Sequence, residues 1–241
     1  MHIGLVGLGR MGGSMRERLR GAGLRVTGYD RDRTRSDVDS LPALVEALPA
    51  PRIVWVMLPS GAPTRLTVRE LAGVLEEGDL VIEGGNSPYT DDLLLSRELA
   101  SQGVGYLDCG VSGGVWGLAN GYGLMVGGER EQVERAMPIF DALRPEGPRE
   151  EGFVHAGGVG AGHYAKMVHN GIEYGLMQAY AEGFEIMHAS DYPLDLAAIS
   201  EMWMHGSVVR SWLLELMVRA FKANGQDRDN LKGWVADSGE G

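Results

Sequence analysis

Lys166, His169, Asn170 and Glu173 lie within the run Gly160-Ala161-Gly162-His163-Tyr164-Ala165-Lys166-Met167-Val168-His169-Asn170-Gly171-Ile172-Glu173-Tyr174-Gly175. Relative to Lys166 their offsets are three, four and seven. On a helix of ~3.6 residues per turn these offsets share one face across about two turns. That face offers an amine, an imidazole, an amide and a carboxyl, which together make an acid–base site for a small polar substrate. A polar helix face is ordinarily solvated, and Lys with Glu at helical spacing ordinarily forms a surface ion pair. Two features weigh against that reading. Glycines 157, 158, 160 and 162 crowd the start of the segment, where a surface helix favours better helix formers. The helix then continues through Ile172, Leu176, Met177, Tyr180, Phe184, Ile186 and Met187, so a largely buried helix with its polar groups near the start is expected.

The elements that must position this face are legible from hydrophobic patterning. Residues 2–6, 25–29, 53–58 and 80–83 read as apolar strands, with shorter candidates at 106–108 and 124–126. Helical patterns separate most of them, near 41–48, 64–76, 89–101 and 130–143. Apolar strands alternating with helices predict a mainly parallel sheet of Rossmann type, covered on both faces. After about Phe153 strands are expected to stop, giving way to helices near 160–189, 194–204 and 207–222. The fold class is therefore α/β followed by an all-helical region, with a dinucleotide-binding domain over 1–157 and a helical substrate and dimerisation domain over 158–241.

Gly7-Leu8-Gly9-Arg10-Met11-Gly12 follows the first strand and opens a helix, the context that distinguishes a dinucleotide fingerprint from an ordinary glycine turn. Gly7 permits the tight turn, Gly9 lets backbone approach a pyrophosphate, and Gly12 allows close helix–strand packing. Asp30 ends the second strand, 18 residues after Gly12. A carboxylate there accepts hydrogen bonds from ribose hydroxyls and repels a 2′-phosphate, favouring NAD over NADP. Arg31, Arg33 and Arg35 follow closely and are suited to hold a 2′-phosphate, so NADP stays open.

With these pieces in order, the chain resembles the 6-phosphogluconate dehydrogenases, particularly their shorter, NAD-preferring members. The matching residues are Gly7 to Gly12, Gly84-Gly85-Asn86-Ser87, Gly110-Val111-Ser112-Gly113-Gly114 with Gly117, the lysine helix, and the run from Trp203 to Leu214. The resemblance implies Lys166 as catalytic base and Glu173 as catalytic acid. It also implies that Asn86, Ser112, Gly113, Gly114, His169, Asn170 and Tyr174 surround the substrate and the nicotinamide, with Asn86 touching both. The implied reaction oxidises 6-phosphogluconate at C3, releases CO2 and yields ribulose 5-phosphate. A lysine suits the hydroxyl proton if its surroundings keep it neutral, and a protonated carboxyl suits proton delivery to carbon. No metal is expected: a protonated lysine polarises the carbonyl, and His155, His163, His169, His188 and His205 show no convincing partner ligands along the chain.

The chain ends at Gly241, just after Gly233 to Glu240, where members of that family continue. The helical domain is therefore expected to be incomplete, with basic residues for the substrate phosphate lying beyond it. A β-hydroxyacid dehydrogenase of the same superfamily is the nearest rival, sharing the fingerprint, the Ser-Gly-Gly turn and a Lys with an Asn four residues on, without requiring Glu173. A catalytically dead dinucleotide-binding module is a second rival. Composition narrows the partners. A net charge of −11 over 241 residues argues against a nucleic-acid backbone but not against a phosphorylated sugar acid. A single cysteine, Cys109, rules out an intrachain disulfide and fits a reducing cytoplasm. No apolar run reaches the ~18 residues of a membrane span. A homodimer or higher homo-oligomer is expected.

Overall fold

The first strand, β1 (His2–Val6), is buried over four of its five residues, and β3 (Ile53–Val56) and β4 (Leu80–Glu83) are buried throughout. Such runs are needed where a sheet is covered on both faces. In the computed structural model, which describes residues 1–225, they join β2 (Arg25–Tyr29), β5 (Gly105–Ser112), β6 (Gly123–Gly127) and β7 (Phe153–Gly157). The sheet order is β2-β1-β3-β4-β5-β6-β7. All neighbours are parallel except β5 with β6, which run antiparallel.

Strand periodicity divides the core into two layers. Ile53, Trp55, Leu80 and Ile82 enter one cluster with Met15 and Leu19 of α1 (Arg10–Gly21) and Ile139 and Phe140 of α6 (Arg130–Leu143). Val54, Val56 and Val81 point the other way. They meet Leu44 of α2 (Leu41–Glu46), Val68 and Leu71 of α3 (Ala62–Ala72), and Leu95 and Leu99 of α4 (Tyr89–Ala100). A short helix, α5 (Gly117–Asn120), connects β5 to β6.

Two elements depart from the sequence expectation. Strands do not stop at Phe153: β7 pairs in parallel with β6, Leu124 opposite Phe153. It is an edge strand with alternate residues exposed, held by backbone pairing, so it needs no apolar run. The strand expected at 106–108 extends from Gly105 to Ser112.

Three helices complete the described chain: α7 (Ala161–His188), α8 (Leu196–Trp203) and α9 (Trp212–Asn224). The chain divides into two compact units, the first Met1–Val168 and the second beginning at His169, so the division falls inside α7. In the second unit Phe184 is buried with Leu196, Leu214 and Phe221. Asp195 and Ser211 cap α8 and α9 by accepting the N–H groups of Ala198 and Leu214. The expectation of a largely buried α7 does not hold: Ile172, Met177 and Ile186 are 60 %, 48 % and 71 % exposed. Among the described residues, α8 and α9 engage only the end of α7 around Phe184. Residues 226–241, including Gly233 to Glu240, lie outside the described residues.

Candidate active site

The fingerprint glycines occupy the positions their roles require. Gly7 has φ +89°, and a Cβ there would fall 2.2 Å from the Met57 carbonyl oxygen. A Cβ at Gly12 would fall 1.9 Å from the Gly7 carbonyl oxygen, so only glycine lets α1 leave β1 this closely. At Gly9 a Cβ would meet nothing within 4 Å. The backbone there is open on the side of the α1 N-terminus, whose first turn, beginning at Arg10 and Met11, carries no acidic residue. An open helix N-terminus behind a glycine turn fits a pyrophosphate.

Asp30 is bound into the same turn. Its Oδ2 accepts the Leu8 N–H at 2.6 Å, and its Oδ1 accepts the Asp32 N–H at 2.8 Å. The carboxylate is thereby fixed beside the fingerprint with lone pairs left for further donors. Of the arginines that follow, Arg33 and Arg35 pair with Asp39 and Asp32 at 3.7 and 3.1 Å, while Arg31 is exposed.

The carboxyl ends of β1, β2, β4 and β5 carry, in turn, the fingerprint, Asp30, Asn86 and Ser112. Strand order reverses direction about β1 and β3, and open α/β sheets bind ligands outside the carboxyl ends of the strands at such a switch point. Asn86 is partly buried just beyond β4, and Ser112 closes β5. Gly113 and Gly114 have φ +128° and +47°, so the turn after Ser112 is bent sharply back.

Lys166 reaches this end of the sheet because the first turns of α7 lie directly on β5. Asp108, Gly110 and Ser112 alternate along β5 and so share one face. Asp108 accepts the N–H groups of Gly160 and His163 at 2.6 and 2.9 Å, anchoring the start of α7. A Cβ on Gly110 would fall 2.4 Å from the Lys166 Cβ, and one on Gly162 would fall 2.4 Å from the Met125 carbonyl oxygen. Glycine at 110 and 162 allows α7 to lie on β5 and β6, which accounts for Gly162 among the glycines that open the segment. Lys166 is buried, with 9 % exposure.

A polar network lies under the same turn of α7. His163 Nδ1 donates to Asp92 Oδ2 at 2.8 Å, and Tyr106 Oη donates to Asp92 Oδ1 at 2.8 Å. His163 Nε2 stands 3.8 Å from Glu83 Oε2, and Glu83 Oε1 accepts the Gly85 N–H at 2.7 Å. Glu83, Asp92 and His163 form a close cluster of potential ligand groups among the described residues. This corrects the expectation that the histidines have no convincing partners: His163 has two carboxylates, 71 and 80 residues away in sequence. The one visible signal was a glutamate ending a buried apolar strand. Burial raises the Glu83 carboxyl. For His163 burial acts downward, but the hydrogen bond to Asp92 and the charge of Glu83 outweigh it and push the imidazole up to about 9.

His169, Asn170, Glu173 and Tyr174 belong to the second unit. His169 Nδ1 lies 3.7 Å from Glu173 Oε2 and 3.3 Å from Asn170 Oδ1. Glu173 is partly exposed, and Tyr174 is 56 % exposed.

Comparison with known proteins bears on this arrangement. Residues 2–145 match the family model for the NAD binding domain of 6-phosphogluconate dehydrogenase, and residues 162–190 match that for its C-terminal domain. The chain belongs to the 6-phosphogluconate dehydrogenase family. It is 40 % identical over 250 aligned residues to the NAD(+)-dependent, decarboxylating 6-phosphogluconate dehydrogenase of Haloferax volcanii, covering 100 % of this chain and 82 % of that protein. Among solved structures, Plasmodium falciparum 6-phosphogluconate dehydrogenase superposes with a TM-score of 0.85 at 27 % identity, over 96 % of this chain and 52 % of that one. The Mycobacterium tuberculosis 3-hydroxyisobutyrate dehydrogenase superposes at 0.77, also at 27 % identity, over 90 % and 74 %. The chain is thus an oxidoreductase of the 6-phosphogluconate and hydroxyacid dehydrogenase group, with a nucleotide-binding domain of NAD(P) type. Among the described residues no helix is long and apolar enough to cross a membrane.

Proposed function

We propose that this family member oxidatively decarboxylates 6-phosphogluconate to ribulose 5-phosphate and CO2, with NAD preferred as hydride acceptor. The observation that carries the reading is Lys166, buried on the Asp108–Ser112 face of β5, with Glu173 seven residues further along the same helix. The Haloferax relative, named as decarboxylating, supports it.

Gly7 to Gly12 and Asp30 would hold NAD(P), which when bound would supply the hydride acceptor. Lys166 Nζ takes the C3 hydroxyl proton as the carbonyl forms. The resulting β-keto acid loses its carboxylate as CO2, because the breaking C1–C2 bond delivers its electron pair toward the C3 carbonyl. Lys166 returns its proton to that oxygen, leaving an enediol. Glu173 then protonates the carbon that becomes C1 of ribulose 5-phosphate. Asn86, Ser112, Gly113, Gly114, His169, Asn170 and Tyr174 orient the sugar acid, Asn86 serving the nicotinamide side as well.

NAD preference rests on Asp30, a carboxylate fixed against the Leu8 N–H of the fingerprint. The exposed apolar residues of α7 support self-association into a dimer or higher oligomer.

Incubating the purified chain with 6-phosphogluconate and each nucleotide tests the reading. The expected result is stoichiometric NADH and CO2, with a higher kcat/KM for NAD than for NADP. Turnover of 3-hydroxyisobutyrate but not of 6-phosphogluconate would overturn it. Higher efficiency with NADP would assign the ribose pocket to the arginines instead.

A further inference from the structure

The buried network beneath α7 has no part in the mechanism above. Its members come from four elements: Glu83 from β4, Asp92 from α4, Tyr106 and Asp108 from β5, and His163 from α7. Glu83, Asp92 and His163 are each at most 2 % exposed. Most of its polar atoms are satisfied. Both oxygens of Asp92, both oxygens of Asp108 and Oε1 of Glu83 accept hydrogen bonds. Glu83 Oε2, His163 Nε2 and the nearby Ser87 Oγ are buried without a full hydrogen bond; the first two face each other at 3.8 Å, and the Ser87 hydroxyl favours the charged form of Glu83.

Two buried bare acceptors in such apposition repel, and each is costly to leave without a partner. A proton on Nε2 turns the repulsion into attraction. With His163 Nδ1 already donating to Asp92, a second proton on Nε2 makes the ring a cation between two carboxylates. At 3.8 Å this is a charge pair and not a full hydrogen bond. The pair joins two parts of the candidate site. Glu83 holds the Gly85 N–H, one residue before Asn86. His163 lies three residues, almost one turn, before Lys166.

We propose that His163 is a positioning residue: a proton buried between it and Glu83 ties the Asn86 loop to the turn of α7 that carries Lys166. As a role in turnover this rests on Lys166 being the base; as a coupling between the two segments it does not.

Two measurements on the full chain separate these. In the first, nitrogen NMR of the histidine-labelled protein at pH 7.5 is expected to show both ring nitrogens of His163 protonated. Hydrogen exchange is expected to show protection falling together in Gly84–Asn86 and Tyr164–Lys166 in His163→Gln, which keeps a donor for Asp92 but no charge. A singly protonated ring, or loss of protection in only one segment, overturns the proposal. Zinc retained stoichiometrically through gel filtration also overturns it, since the same atoms would then be metal ligands.

In the second, kcat with 6-phosphogluconate is expected to fall at least about tenfold in His163→Gln, with NAD affinity and KM changed less than about threefold. A variant that loses thermal stability but keeps wild-type kcat overturns the positioning role. If His163→Gln fails to fold, Glu83→Gln, which keeps an acceptor for Gly85, is read in the same way. No turnover in the unmodified chain with the NMR and exchange results as expected would sink the Lys166 reading and leave the coupling standing.

Discussion

Lys166 is an amine held almost out of water on a β-strand whose nearest residue, Gly110, has no side chain. Its setting follows from neighbours more than from its own helix. Asp108 accepts two backbone N–H groups at the start of α7, which anchors the turn before the lysine to β5. If it is the base, Lys166→Met is expected to lower kcat on the order of 10²–10⁴-fold while nucleotide affinity, which the proposal assigns to the fingerprint and Asp30, changes little. Steady-state rates with fluorescence titration of the nucleotide check this. Lys166→Arg is expected not to rescue, because a guanidinium does not surrender a proton near neutral pH. Glu173→Gln is expected to retain substrate binding and lose turnover, and a wild-type rate in that variant would remove its acid role.

Two contacts between elements decide whether the site exists. The approach of α1 to β1 depends on Gly12, and that of α7 to β5 and β6 depends on Gly110 and Gly162. Gly110→Ala places a methyl group 2.4 Å from the Lys166 Cβ, so α7 must shift. The expected outcome is a loss of kcat comparable to that of removing the lysine, with NAD binding retained, measured by the same rate and titration pair. Unchanged turnover in Gly110→Ala would show that the contact of α7 with β5 does not set the site. At this scale sequence reading was uneven. Strands β1, β3 and β4 were legible because burial on both faces demands continuous apolar runs. β7 was not, since an edge strand is stabilised by pairing with β6, and its sequence Phe-Val-His-Ala-Gly carries no such run.

Across the whole molecule, buried charge links stability to pH. The folded pKa of His163 is raised from 6.5 to about 9, so the stability it contributes is fully present below about 6.5 and is lost as pH rises toward 9. Glu83, also raised, acts in the same sense from its own lower starting value. The melting temperature is therefore expected to fall between pH 7 and 9.5, and the decline is expected to flatten in His163→Gln; scanning calorimetry across that range measures it. A melting temperature that holds steady to pH 9.5 would contradict the buried charge. Sequence by itself determined the parallel sheet, the fingerprint with Asp30, and the spacing of Lys166 and Glu173 on one helix, because each is a local pattern of type and period. Tertiary structure alone decided that Asp30 binds Leu8, that Lys166 of α7 packs on Gly110 of β5, and that His163 lies between Glu83 and Asp92. Those contacts join residues 22 to 80 positions apart, and no local period encodes which distant strand or helix will lie against a given side chain.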